Sequence, residues 1–498
     1  MKRKLMKRKE YERMLYSFHR NVSINFEQQL IHGQAVRTGD QVPKWMILDP
    51  LNSGGFHFGQ KRAWNNRHFI GKPQGMDGHI LINGGPGSYK TAGIVKPTLL
   101  TWMGHVVLID IKPQSDLLAH CIQASKFIGK HIKIFNPTQT WSSCYDPYVF
   151  LRSDGEDNLS RNAKELAIAL LPPQPEIREQ VWRKAAQNIL TAVIIYYFDI
   201  GATFGETMTS IISSSAKKLI NDIEDSNNEI SKLFISKLKN LEEKTLANID
   251  MELTELTIFA ADSRINSILC NKKAGSNFID WNDLNYATTP YNTVLQIPEE
   301  YLDVWEPVTK LLINQLIRAL GRRADKYSVD GRQLPPILII LEEFASLGKI
   351  PSIINGLSTL RSRGVTFCLI VQSFCQLDEI YGSANRRVIV DNCAYKAILN
   401  VSDPESQKYF SDLIGSITTA NRSSTTVYNT VNRKIQSINL SINESHEPIV
   451  YPHELNTLGN QLILITPEGF CRVDKATYIM KNNNTLPSGK LLLTCCYK

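Results

Sequence analysis

Short runs of β-branched and aliphatic residues alternate with helical patterns in two separate stretches of this chain. His79-Ile80-Leu81-Ile82, Val106 to Ile109 and Ile132 to Phe135 form the first set of predicted strands. Thr293 to Ile297, Ile337 to Leu341, Thr366 to Val371 and Ala397 to Val401 form the second. Between Ile297 and Ile337, Val308, Leu311, Leu312, Leu316, Ala319 and Leu320 share one helical face. Near-continuous apolar strands separated by helices indicate a parallel sheet covered on both faces.

From about residue 154 to 276 the strand signal disappears. Asn158 to Leu171, Ile177 to Phe198, Thr209 to Ile223 and Glu229 to Leu256 read as helices, broken once at Pro172-Pro173. The expectation is an α/β domain interrupted by an inserted all-α domain. Its divisions are a basic tail over 1–20, a first α/β part over 21–153, the insertion over 154–276 and a second α/β part over 277–498. Gln461 to Ile465 predicts a late strand, while Gly415 to Asn443, rich in Ser, Thr and Asn, predicts a surface loop or mobile segment.

Composition narrows this picture. With 498 residues, 43 % hydrophobic and 21 % charged, the chain exceeds one ordinary core and is not disordered. The longest apolar run, Ile189 to Phe198, stops at Asp199, well short of the ~20 residues a spanning helix needs. The net charge of +8 is concentrated at the N-terminus, where seven basic residues face Glu10 and Glu12 within the first thirteen positions. Such a tail suits anionic lipid or nucleic acid, or is simply solvated. Nine cysteines without a CxxC fit a reducing compartment rather than a zinc knuckle or disulfide framework.

The strongest chemical signal is Asn83-Gly84-Gly85-Pro86-Gly87-Ser88-Tyr89-Lys90-Thr91, which follows a predicted strand and opens a predicted helix. Glycines let backbone N–H groups turn inward around phosphates, and a helix N-terminus adds partial positive charge. Gly84, Gly85, Gly87, Ser88 and Tyr89 would line the cradle. Lys90 would reach the β- and γ-phosphates of ATP, and the Thr91 hydroxyl would ligate Mg²⁺. Tyr89 stands where GxxxxGK[ST] has its second glycine. It is tolerated if it can hold the required backbone conformation; otherwise it crowds the phosphate.

A second signal is the apolar strand Ile337 to Leu341, which ends in Glu342-Glu343. Acids at the C-terminal end of a parallel strand face the ligand crevice. Glu342 suits the metal, and Glu343 suits the attacking water. Gln372, ending the next strand, can sense a γ-phosphate through its amide. Arg361 and Arg363 are candidates for an arginine finger reaching a neighbouring subunit's site.

Together these residues resemble the TraG/TraD-like coupling ATPases of type IV secretion and conjugation. Lys90 to Leu100, Val107 to Lys112, Phe135-Asn136-Pro137, Leu341 to Ile350, Ile370 to Leu377 and Pro452 to Leu455 carry the likeness, as does Val181 to Ala186 within the helical region. The resemblance implies a RecA-like P-loop domain with an inserted all-α domain, assembled as a homo-hexamer that binds ATP and Mg²⁺. By matching position, Glu342 is the metal acid where the family has Asp, Glu343 the catalytic acid, Gln372 the sensor and Arg361 the finger.

The implied partners are single- or double-stranded DNA, relaxase or effector cargo, and secretion-channel components. The family's two N-terminal membrane helices are not legible here, so the expected location is cytoplasmic, peripheral to the inner face of the membrane. An acid the family often has after Lys112 is replaced by Gln114. Lys217-Lys218, Lys272-Lys273 and Arg322-Arg323 are candidate DNA contacts, each better read as a solvated surface pair. Two other readings stay open: a docking scaffold whose nucleotide site does not turn over, and a related DNA pump outside conjugation.

Overall fold

The computed structural model describes residues 42–48, 54–63, 66–111, 116–173, 177–270, 278–329, 331–428 and 435–476. The basic tail, Lys112, Gln114 and Lys272-Lys273 lie outside the described residues. One twelve-stranded sheet organises the chain. Its strands are β1 (Ile47–Leu48), β2 (Gly55–Ala63), β3 (Asn66–Pro73), β4 (Ile80–Asn83), β5 (His105–Asp110) and β6 (His131–Phe135), then β7 (Tyr291–Gln296), β8 (Ile337–Leu341), β9 (Val365–Val371), β10 (Tyr395–Ile398), β11 (Gln461–Thr466) and β12 (Gly469–Asp474). They lie in the order β1-β3-β2-β12-β11-β10-β4-β9-β8-β5-β7-β6. The run from β10 to β6 is parallel throughout. The remainder, from β11 out to β1, is joined antiparallel.

Period-two alternation sorts the parallel strands onto two cores. Leu81, Val107, Ile339 and Leu369 face one side, against α5 (Glu306–Leu320), α6 (Pro351–Thr359) and α7 (Phe374–Tyr381). Ile82, Leu108, Ile340 and Ile370 face the other, against α1 (Lys96–Thr101), α2 (Leu117–Phe127) and the aromatic residues Phe56 and Phe58 of β2. The mostly parallel α/β sheet therefore matches the sequence pattern. The antiparallel flank of β1 to β3 and β12 was not anticipated.

Between Val149 and Ile268 the described residues form helices and connections, including α3 (Leu159–Leu170) and α4 (Ile177–Asp199). The expected Thr209–Ile223 helix is instead two, Phe204–Ser213 and Ala216–Glu224, because Ser215 caps the second by accepting from Lys218 N at 3.3 Å. A short parallel pairing of Cys144–Tyr145 with Phe278–Ile279 closes the neck where the helical segment leaves and rejoins the sheet. Arg183, in the Val181 to Ala186 stretch, is 1 % exposed and ties α4 to Glu252 at 2.8 Å and to Glu255.

Two sequence expectations are corrected. Ser416–Tyr428 and Ile435–Pro448 form a long antiparallel hairpin rather than a loop. Ile438, Leu440 and Ile442 alternate with polar residues, which is a strand period hidden by polar composition. Arg322-Arg323 is not a solvated pair. Arg322 donates to both carboxylate oxygens of Asp154 at 2.7 and 2.6 Å. Arg323 is 1 % exposed and donates to the carbonyls of Arg363 (3.0 Å), Pro335 (2.6 Å) and Leu284. Lys217 pairs on the surface with Glu243 at 3.3 Å.

Truncating Arg323 to Ala leaves three carbonyls without their donors, so unfolding free energy should fall by about 3 kcal/mol in a denaturant titration. Acid should also destabilise the fold. His57, His79, His105 and His120 are fully or almost fully buried. Burial lowers the first to about 3 and the others to about 4. The unfolded chain takes up these protons first. Stability is therefore intact above about pH 6.5 and declines toward about pH 4, by about 1.4 kcal/mol per pH unit for each histidine. Denaturation midpoints measured across that window check the slope.

Candidate nucleotide site

The loop after β4 is stitched to strands on either side. Gly84 N donates to Val371 O of β9 at 3.2 Å, and Gly85 N donates to Asn400 O beyond β10 at 2.8 Å. Gly84 has no room for a side chain. A Cβ there would lie 2.7 Å from Ser88 Oγ and 2.9 Å from Leu399 Cβ. Ser88 Oγ donates to Gly85 O at 2.7 Å and narrows the turn. Gly87 takes φ +69°, in the left-handed region.

Tyr89 adopts φ +70°, the region open to the glycine it replaces. Its ring is directed outward, and the residue is 53 % exposed. The side chain therefore does not plug the cradle; it imposes backbone strain instead. Lys90 is buried and donates from Nζ to Gly84 O at 2.5 Å and Gly85 O at 2.9 Å. The loop's own carbonyls thus hold its ammonium at the cradle. The first turn beyond it, Thr91–Val95, is wound as a π-helix leading into α1.

The acidic strand end meets this turn directly. Glu342 N donates to Ile109 O of β5 at 3.2 Å, fixing the backbone at the tip of β8. Thr91 donates its hydroxyl hydrogen bond to Glu342 Oε1. Glu342 is 2 % exposed, so its longer side chain spans from β8 to the helix without reaching bulk water. Glu343 takes left-handed angles, φ 54° and ψ 51°. Its Oε2 accepts from Gln372 Nε2 at 2.7 Å. Because β9 lies between β4 and β8, Gln372 stands between the loop and the two acids.

Gly84 to Thr91, Glu342, Glu343 and Gln372 are thereby brought together. The glycine cradle, the hydroxyl–carboxylate contact and the buried lysine fit a triphosphate with a divalent metal. Arg361 is not brought there within the chain. It is exposed at the N-terminal end of β9, a strand length of roughly 20 Å from Gln372. Among the described residues it donates no hydrogen bond, whereas Arg363 donates to Gly321 O and to Arg323 O at 2.7 Å.

Asn400 and Lys475 also border the loop, and no local motif marks them. Lys475 Nζ donates to Asn400 Oδ1 at 3.2 Å, a contact only the fold creates. Asp116 pairs with Lys96 of α1, and Asn136 donates to Gln296 Oε1 at 2.8 Å across the ends of β6 and β7.

The family model described as type IV secretory system conjugative DNA transfer matches residues 27–494. The chain belongs to that family. It is 24 % identical over 417 residues to protein VirD4 of Agrobacterium fabrum, covering 81 % of this chain and 59 % of that protein. It is 22 % identical over 443 residues to conjugal transfer protein TraG of Escherichia coli, covering 81 % and 65 %. The chain thus spans under two thirds of the length of these curated relatives. Among solved structures it is similar to the plasmid coupling protein TrwB in complex with a non-hydrolysable ATP analogue, with TM-score 0.60 and 14 % identity over 82 % of this chain and 87 % of that one. A sulphate complex of TrwB gives TM-score 0.61 at 14 % identity, covering 90 % and 98 %. These structures show the fold: a RecA-like P-loop domain with an all-α domain. No helix among the described residues of this family member is long and apolar enough to cross a membrane.

The strain at position 89 can be measured. A left-handed non-glycine residue costs about 1–2 kcal/mol, partly offset by the extra unfolded-state entropy of glycine. Tyr89→Gly should therefore raise unfolding free energy by about 0.5 kcal/mol in urea denaturation.

Proposed function

We propose that the chain is an ATP-driven coupling protein of conjugative DNA transfer, working at the cytoplasmic face of the membrane on DNA or a relaxase–DNA complex bound for a type IV secretion channel. The observation that carries this reading is the Thr91–Glu342 contact, set beside the Lys90 cradle and the Gln372–Glu343 hydrogen bond. The TrwB complexes with an ATP analogue and with ADP and Mg²⁺ support ATP and Mg²⁺ as ligands.

Bound ATP supplies the phosphoanhydride, and Mg²⁺ supplies the counter-charge. Lys90 exchanges the carbonyls of Gly84 and Gly85 for phosphate oxygens, which gives its ammonium a stronger partner. Thr91 and Glu342 hold the metal side. Glu343 accepts a proton from the attacking water, and Gln372 fixes the orientation of that carboxylate. Arg361 serves a neighbouring subunit in a six-membered ring. Its exposure, and a guanidinium that donates no hydrogen bond among the described residues, support it over Arg363. A purely structural nucleotide site is less well supported, since Tyr89 turns outward and Glu342 reaches Thr91.

Phosphate release by the full chain, with Mg²⁺ and single-stranded DNA at low salt, tests the reading. Lys90→Ala and Glu343→Gln should each lower the rate about a hundredfold or more, with nucleotide binding weakened only in the first. Arg361→Ala should bind nucleotide yet turn over slowly. Mixing it with Glu343→Gln should restore part of the rate, because some interfaces then pair an intact site with an intact finger. Absence of phosphate release with every DNA tried would refute the motor.

A further inference from the structure

Phosphate binding alone gives no reason for a strained tyrosine at position 89. Strained backbone persists where the surroundings impose it, and such residues gather at functional sites. The surroundings of Tyr89 indicate which function. Thr91, Glu342, Glu343 and Gln372 fix the γ-phosphate end of the cradle on the β9 and β8 side of β4. The rest of an extended nucleotide must leave on the other side, toward β10.

That side is shaped by the chain's last described residues. Lys475 Nζ donates to Asn400 Oδ1 at 3.2 Å and to Gly459 O at 2.8 Å, while Asn400 O holds Gly85 N. Burial moves the Lys475 ammonium below the usual lysine range, and its two hydrogen bonds fix it beside the loop. Ala476, the next residue, passes over Gly93 in the first turn of the helix. A Cβ on Gly93 would lie 3.1 Å from Ala476 O and 3.7 Å from the Cβ of Tyr89. Glycine at position 93 therefore lets the Lys475-Ala476 backbone pack closely against the first helical turn, beside Tyr89. The phenol ring beside this contact is half-exposed and, among the described residues, makes no hydrogen bond.

We propose that Tyr89 is a nucleobase platform: the base of a bound nucleoside triphosphate stacks on its exposed ring, with Lys475 and Asn400 lining the ribose side. The inference rests on the nucleotide reading above and extends it to residues that a phosphate cradle does not require. Stacking recognises any planar base and is strongest for purines, so the site takes a purine nucleotide without a base-specific hydrogen-bond code.

Calorimetric titration of the full chain with ATP–Mg²⁺ and with tripolyphosphate–Mg²⁺ separates the two readings. Tyr89→Gly relieves strain and is expected to fold. It should weaken ATP binding about tenfold relative to tripolyphosphate binding, because any effect of the freed backbone on the phosphates is common to both ligands. Tyr89→Phe keeps the ring and should bind ATP within about twofold of the parent chain. Lys475→Met should weaken ATP and spare tripolyphosphate in the same way. If Tyr89→Gly changes ATP and tripolyphosphate binding by the same factor, or leaves both unchanged, the platform is refuted while the nucleotide site stands. If the parent chain binds neither ligand, the nucleotide reading falls and the platform with it.

Discussion

A hydroxyl and a carboxylate more than two hundred residues apart meet at the top of the sheet, and the arrangement of the site depends on that contact. Thr91 can reach Glu342 only if β4 and β8 run parallel with one strand between them. The parallel register aligns Asn83 with Val371 and Leu341 with Leu369, so β4 and β9 end together while β8 stops two residues lower, and Glu342-Glu343 cover that distance. The loop, the amide and the acids then converge without any of them lying on a long flexible segment. A slip of one residue in β8 would exchange its buried faces and turn Glu342 away.

The site also concentrates backbone cost. Tyr89 and Glu343 both occupy left-handed angles, at the end of the cradle and at the acidic tip. The surrounding hydrogen bonds hold them there: Gly93 N to Tyr89 O at 2.7 Å on one side, and Gln372 Nε2 to Glu343 Oε2 at 2.7 Å on the other. Groups fixed in this way lose little further freedom when a ligand arrives.

Much of this was legible beforehand because chemistry at the ends of parallel strands leaves a local trace. Glu342-Glu343 and Gln372 each follow an apolar run, Lys90-Thr91 closes the glycine-rich turn after another, and strand ends are where a buried sheet can present polar groups. Residues whose role arises from tertiary contact leave no such trace. Asn400 and Lys475 meet across the chain, and neither neighbourhood contains a motif. Arg323 looked like half of a surface doublet, yet three carbonyls from separate segments surround it. The edge strands escaped notice because β1 has only two residues and β2 and β3 are interrupted by glycine and charge. In the Ser416 to Pro448 hairpin, Thr and Ser content masked a period-two pattern. Arg361 was legible as a type of residue, but a partner for it cannot be read within a single chain.

The junction between sheet and helical segment constrains how the two can move. Phe150 lies beneath the guanidinium groups of both Arg318 and Arg322, at 4.6 and 4.5 Å from the ring centre. Arg318 also donates to Asn162 of α3 at 2.5 Å, and Arg322 grips Asp154. Both arginines belong to α5 or its end, and α5 packs beneath the sheet. The helical segment is thus bolted to a helix of the sheet domain instead of hanging from its narrow neck. A displacement of the helical segment therefore has to carry α5 with it, and with α5 the buried face of the sheet it packs against.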